Sequence, residues 1–171
     1  MSGAGANEDA LRGWRDVARP ALASVFLILP LGALAVLARE PLLFPSLGPT
    51  IFIQVHAPKS KAARPWNNVA GHALGVLAAV IALWVTGAVH DPSATSAALT
   101  WGRALASALA VALSTAAQIP LRAAHPPAAA TTLLITLGAV ACDPHAIGVL
   151  FAGVLLTVVL ERLVRPWLLS S

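Results

Sequence analysis

The stretch PALASVFLILPLGALAVLA, residues 20–38, holds no charged residue, and its reading decides the class of fold. A helix of that length rises about 28 Å, close to the ~30 Å hydrocarbon core of a bilayer. A surface helix of a water-soluble domain would set one apolar stripe against a polar face, whereas here nearly every position is apolar. Outward from it, further uncharged runs lie at 41–58, 65–90, 104–121, 123–142 and 144–160. Charged residues make up 11% of the chain, against about 25% in a typical soluble domain. Water cannot be the solvent of such a surface; a lipid bilayer can. The expectation is an all-α membrane protein.

With their flanks, four runs reach spanning length: 20–38, 67–90, 101–121 and 144–163. Two are shorter, about 44–57 and 125–141. Pro41, Pro45 and Pro49 block a continuous helix before the first, and Pro120, Pro126 and Pro127 before the second. Six transmembrane segments result, four full-length and two half-helices. Pro20 reads as the first helical position of its span and Pro30 as a kink. Residues 1–19 read as a polar cytoplasmic tail and 166–171 as a short C-terminal one. Glu8, Asp9 and Asp16 among the first residues argue against a cleaved signal peptide.

The order long–short–long occurs twice, so the fold is read as a 3+3 repeat with halves at about 20–90 and 97–165. ALAS recurs at 21–24 and 104–107, and HALGVL at 72–77 is echoed by HAIGVL at 145–150. Charge tests the topology. If all six segments cross, one side holds Arg12, Arg15, Arg19, Lys59, Lys61, Arg64, Arg122, Arg162 and Arg165, and the other only Arg39 and Arg103. If the short segments were re-entrant, that bias would vanish. The positive-inside rule therefore favours six crossings with both termini cytoplasmic, in a bacterial plasma membrane. Three crossings per half make the repeat inverted, as in many transporters.

The two short segments carry the candidate site. Backbone interrupted at membrane depth is tolerated only where protein or a water-filled cavity satisfies it. A half-helix starting there turns its positive end and free N–H groups toward whatever occupies that cavity. Ser46, Gly48 and Thr50 open the first, and His125, Pro126, Pro127 and Thr131 the second. Together they read as a binding site for a small inorganic anion, with Asn67, Asn68, His72 and Arg122 as accessory residues. Each has a plainer reading: a proline break as a mere kink, a Ser or Thr bonded to its own helix, His72 as a packing residue in the stripe Gly71, Gly75, Ala78, Ala79, and Arg122 as a membrane anchor.

Other classes find little support. The lone Cys142 excludes an internal disulfide framework, no Cys/His spacing suggests a metal or cofactor, and no basic soluble face suits nucleic acid despite the formal +4 charge. Paired carboxylates are lacking, and all seven acids lie in the tail, in loops or at the end of the last span. That disfavours an enzyme and a carboxylate-based proton or cation relay.

His125-Pro126-Pro127-Ala128-Ala129-Ala130-Thr131 resembles the signature of the HPP family of integral membrane proteins. Pro45-Ser46-Leu47-Gly48-Pro49-Thr50 is similar to that family's Ser-x-Gly segment, and Arg64-Pro65-Trp66-Asn67-Asn68 through Gly71-His72 to its Pro-Arg-Asn…Gly-His stretch. The resemblance spans roughly 18–165. It implies a small helical membrane protein, in some members fused to soluble regulatory domains, and members in cyanobacteria and chloroplasts are associated with nitrite transport. Two positions depart from the pattern: Ala129 stands where Gly is usual, and Trp66 where Arg is usual. The expected function is a transporter or channel for a small monovalent anion, foremost nitrite, working as a homo-oligomer. The alternatives are a non-transporting membrane sensor or assembly subunit and, less supported, an intramembrane enzyme using His125.

Overall fold

The computed structural model describes residues 3–170 as six helices: α1 Gly3–Ala38, α2 Leu47–His56, α3 Pro65–Thr86, α4 Trp101–Gln118, α5 Pro127–Thr136 and α6 Pro144–Leu169. Among the described residues there is no strand. Local sequence sets the helix ends. Pro65 and Pro144 take first-turn positions where a missing N–H is harmless. The Asp143 carboxylate accepts from the Ala146 N–H at 2.9 Å, and the Thr100 hydroxyl accepts from the Arg103 N–H at 3.1 Å. Gly87 closes α3 in the left-handed region at φ 72°.

Three helices contain stretches long and apolar enough to cross a membrane: Asp16–Ala38, Pro65–Thr86 and Pro144–Leu169. The expected fourth, 101–121, stops at Gln118 and falls outside that set. Arg103 and Gln118 dilute its apolar content, and both are turned inward and buried. The two ten-residue helices α2 and α5 rise about 15 Å each, half a hydrocarbon core. At both chain ends helix extends into the segments read as tails. The tail predicted over 1–19 is helical from Gly3, so Pro20 lies inside α1 and not at its start. Pro30 also sits within the same helix, and α6 runs on through the predicted 166–171 tail as far as Leu169. Met1, Ser2 and Ser171 lie outside the described residues.

Large apolar side chains cover the outside: Phe26, Leu29 and Val36 on α1, Leu77 and Val85 on α3, Leu155 and Val159 on α6. Trp66, Trp84, Trp101 and Trp167 stand exposed near helix ends, at the levels where aromatic belts form. Inside, Ala23, Leu27 and Leu31 of α1 pack with Ala106 and Ala110 of α4, Ile135 of α5 and Leu150 and Val154 of α6 in one core.

The bundle has two chemically different ends. At one, Arg165 donates to the Pro58 carbonyl at 2.5 Å, Trp66 Nε1 to the Leu121 carbonyl at 3.3 Å, and Arg19 to the Ser170 carbonyl. This basic end also carries Lys59, Lys61, Arg64, Arg122 and Arg162. At the other, His145 meets Glu40 at 3.2 Å and the Ala94 N–H donates to Leu137. Its cations are Arg39 and Arg103.

Helix neighbours also obey a pattern. α3 packs on α4 and α5, and α4 on α5; α6 packs on α1 and α2, and α1 on α2; α3 meets α6, and α2 meets α5. Exchanging the first three helices for the last three maps every one of these pairings onto another or onto itself. The ALAS match agrees with the exchange, since its third residues, Ala23 and Ala106, are both fully buried. The HALGVL match does not. Buried His72 is the eighth residue of α3, whereas exposed His145 is the second of α6. The identity is six positions out of register and supports no repeat.

Candidate functional site

The half-helices meet at their N-terminal turns. Ser46, at the head of α2, lies with its hydroxyl 2.6 Å from that of Thr131 in α5. Thr50 of α2 reaches His125 Nε2 at 3.1 Å and His72 Nε2 at 3.2 Å. His72 Nδ1 in turn lies 2.7 Å from the Thr131 hydroxyl, and His125 Nδ1 donates to the Ala62 carbonyl at 2.9 Å. The imidazoles meet edge to face, centroids 5.0 Å apart. Three hydroxyls and two imidazoles thus form one hydrogen-bonded chain, closed into a ring where the Thr50 hydroxyl also reaches the Ser46 carbonyl at 3.0 Å, with no member more than 1% exposed. No carboxylate bonds to it.

Glycine sets the ring's geometry. A Cβ on Gly71 of α3 would stand 2.6 Å from His125 Cβ, so the chain before α5 lies against bare backbone. On the other side, a Cβ on Gly153 of α6 would overlap the Leu42 carbonyl and the Phe44 ring. Each proline-broken segment is therefore pressed inward by a glycine of a long helix. The stripe expected to bring helices close does so, and its contacts include His125. Gln118 of α4 completes the support, its Oε1 accepting from the His125 N–H at 2.8 Å.

Of the expected residues, Ser46, Thr50, His125 and Thr131 come together, and His72, expected at the margin, belongs to the ring as fully as they do. Gly48 does not: it is exposed, and a Cβ there would meet open space. Pro126 is exposed beside a cleft of about 340 Å³ that His125, Gln118 and Ala129 also line, and Pro127 is buried at the start of α5. The methyl of Ala129, where the family pattern has Gly, occupies that cleft wall. The expectation of free backbone N–H groups fails. Leu47 and Gly48 donate to Phe44 and Pro45, Ala128 and Ala129 donate to His125 and Pro126, and Pro49 and Pro127 have none to offer. Side chains carry the site's donors.

Toward the basic end, Lys61, Arg64, Asn67, Arg122 and Ala124 line a depression of about 460 Å³. Asn67 donates to the carbonyls of Arg122 at 3.1 Å and Ala124 at 3.0 Å, which ties this depression to the chain leading into His125. Trp66, in the family's Arg position, spends its indole N–H on the Leu121 carbonyl. Between ring and depression, one turn from His72 and Thr50, lie Asn68 and Gln54. Both are buried, and Asn68 Nδ2, Asn68 Oδ1 and Gln54 Oε1 have no partner. Gln54 and Gln118 were missed from sequence, although uncharged amides inside apolar helices are themselves a signal. At the opposite end, Pro41, Phe44, Pro45 and Leu150 line an apolar depression of about 400 Å³. Arg103, also missed, is buried there and spends its guanidinium on the carbonyls of Pro92, Asp91 and Thr136, each at 2.6 Å.

No curated protein and no solved structure matches the chain. The family described as HPP, transmembrane region, matches residues 10–166. That match takes in the His125-Pro126-Pro127 break, the Ser46–Thr50 segment and the Asn67–His72 turn that builds the ring between them, and the chain belongs to the HPP transmembrane family.

Proposed function

We propose that the chain is a membrane transporter or channel for a small monovalent inorganic anion, nitrite foremost. The observation that carries this is the buried ring of Ser46, Thr50, His72, His125 and Thr131, with a depression lined by Lys61, Arg64 and Arg122 on its basic side. The cations concentrate an anion at the mouth. Asn68 and Gln54 offer unengaged polar atoms on the way in. The ring then recognises the anion through hydroxyls and imidazoles, with the positive ends of α2 and α5 adding their field. The family resemblance to proteins associated with nitrite transport points the same way.

In this proposal all six helices cross, α2 and α5 together with the irregular segments that precede them, and the two halves form an inverted repeat. The one-for-one exchange of helix neighbours supports the repeat, and the gathering of cations at one end supports termini on the cytoplasmic side. A wall one helix thick around a single path fits a homo-oligomer. No catalytic step is assigned.

Purified protein in liposomes should take up nitrite faster than empty vesicles, and Ser46→Ala and His125→Ala should each reduce the rate about tenfold or more, as expected when a buried partner is left unsatisfied. Uptake equal to that of empty vesicles, or indifferent to both substitutions, overturns the proposal.

A further inference from the structure

If the ring binds an anion in transit, as the transport reading requires, its own protons limit what it can offer. Ser46, Thr50 and Thr131 bring one O–H each, and two neutral imidazoles bring one N–H each. The Ala62 carbonyl can only accept, so His125 carries its proton on Nδ1 and accepts at Nε2 from the Thr50 hydroxyl. Thr50 then accepts from His72 Nε2–H, His72 Nδ1 accepts from Thr131, and Thr131 accepts from Ser46. The single Thr50 proton has a second acceptor in reach, the Ser46 carbonyl at 3.0 Å, but only its bond to Nε2 keeps two lone pairs from facing each other; the bonds then run in one direction from the Ser46 hydroxyl to Ala62, and every ring proton is engaged.

An anion arriving alone therefore meets lone pairs, and making room for it means breaking a buried hydrogen bond without replacement, at about 1–3 kcal/mol. A proton arriving with it changes the count. A new N–H bond at His125 Nε2 turns that acceptor into a donor and displaces the Thr50 O–H. The Thr50 O–H turns to the Ser46 carbonyl 3.0 Å away, the new N–H is left to face the anion, and the imidazolium offsets the charge of the anion it holds. When the anion leaves, the Nε2 proton leaves too and the neutral ring closes again.

We infer that the protein moves its anion together with one proton, held at the junction of His125 and Thr50, so that each cycle is electroneutral; this coupling rests on the transport reading. Around this junction the other titratable groups are one more imidazole and a few charged side chains toward the basic end. α3 contributes His72, and the segments flanking α3 and α5 contribute Lys61, Arg64 and Arg122. α4 presents the uncharged Gln118. From α6 the nearest acid is Glu161, which accepts from Arg165 at 2.9 Å. The titratable side chain of α2, His56, is exposed at the basic end and stacked on Phe52, and the cation of α1 near that end, Arg19, is bonded to Ser170.

The test uses the full chain in liposomes with sodium nitrite outside, a trapped pH-sensitive dye, and the potential clamped by potassium and valinomycin. Rates in protein-free vesicles are subtracted, because the neutral acid crosses lipid unaided. With zero potential and an alkaline lumen, nitrite uptake should accelerate and the lumen acidify; with no pH gradient, changing the potential should leave the rate unchanged. His125→Gln keeps a hydrogen-bonding amide but takes no proton, and should lose the gradient-driven rate about tenfold or more. Uptake that tracks the potential and ignores the pH gradient overturns the coupling and leaves transport standing. No uptake under either gradient overturns both. The wild-type comparison decides even where the variant fails to insert.

Discussion

Gly75 and Gly148 occupy the same place in the hexapeptides HALGVL and HAIGVL, yet alanine at the two positions should act in opposite directions. At Gly75 an added Cβ would stand 2.9 Å from the Ala128 carbonyl oxygen and 2.9 Å from the Thr132 hydroxyl. Ordinary contacts are about 3.5–4.0 Å, so α3 and α5 must part by much of an ångström. The carbonyl is backbone, and the Thr132 hydroxyl is itself donated to that carbonyl at 2.9 Å, so neither can swing aside. Overpacking of this kind costs about 1–3 kcal/mol, against roughly 0.5–1 kcal/mol gained when alanine replaces glycine in a helix. The net for Gly75→Ala is a loss of up to about 2.5 kcal/mol. At Gly148 a Cβ meets nothing within 4 Å, so only the helical gain remains. Thermal unfolding of both variants in one detergent, read by fluorescence-detected size exclusion, should place the wild type between them. Nitrite uptake should fall in Gly75→Ala, whose displaced α5 start carries His125, and persist in Gly148→Ala. Midpoints that move in the same direction would refute the register assigned to α3 and α6.

Asn67→Ala removes the donor to the Arg122 and Ala124 carbonyls and should lower stability by about 1–3 kcal/mol, visible in the same unfolding assay. Exchanging Lys61, Arg64 and Arg122 together for Gln should raise the half-saturating nitrite concentration severalfold and flatten its dependence on ionic strength while largely sparing the maximal rate, because these cations act at the mouth. Arg103→Lys should destabilise the bundle by about 2 kcal/mol or more: one ammonium cannot reach three carbonyls that a planar guanidinium serves at once, and stability equal to wild type would show that those bonds contribute nothing.

Much of the fold is legible because lipid imposes few options. Uncharged runs, proline breaks and terminal tryptophans located every helix, since backbone in hydrocarbon must be internally bonded and proline forbids that bonding. Ser46, Thr50, His125 and Thr131 were recognisable as candidate site residues for the same reason. His72 was not placed among them, because a histidine amid Gly71 and Gly75 signals packing. The two roles coincide here: bare backbone at those glycines brings α3 so close to the α5 segment that His72 reaches Thr131. The free N–H groups expected at the breaks were misjudged because periodicity does not reveal that both first turns tighten and bond to carbonyls three residues back. Arg103 escaped notice because its partners are three backbone carbonyls, which no residue pattern announces.

The helix exchange and the ring's asymmetry bear on each other. Backbone pairing treats the two halves alike, with each break pressed inward by a glycine of the other half's long helix. The side chains do not. One break brings two hydroxyls, Ser46 and Thr50; the other brings an imidazole and a hydroxyl, His125 and Thr131; and the second imidazole, His72, comes from α3 with no counterpart in α6, where Val154 occupies the buried face. A symmetric ring would have no preferred direction of donation. This one has an accept-only carbonyl at one terminus, on the side of Lys61, and a serine hydroxyl at the other, beside the apolar depression. A pattern of helix neighbours that exchanges the two halves thus coexists with a hydrogen-bond chain that does not, and the orientation of that chain is set by Ala62, a residue whose side chain takes no part.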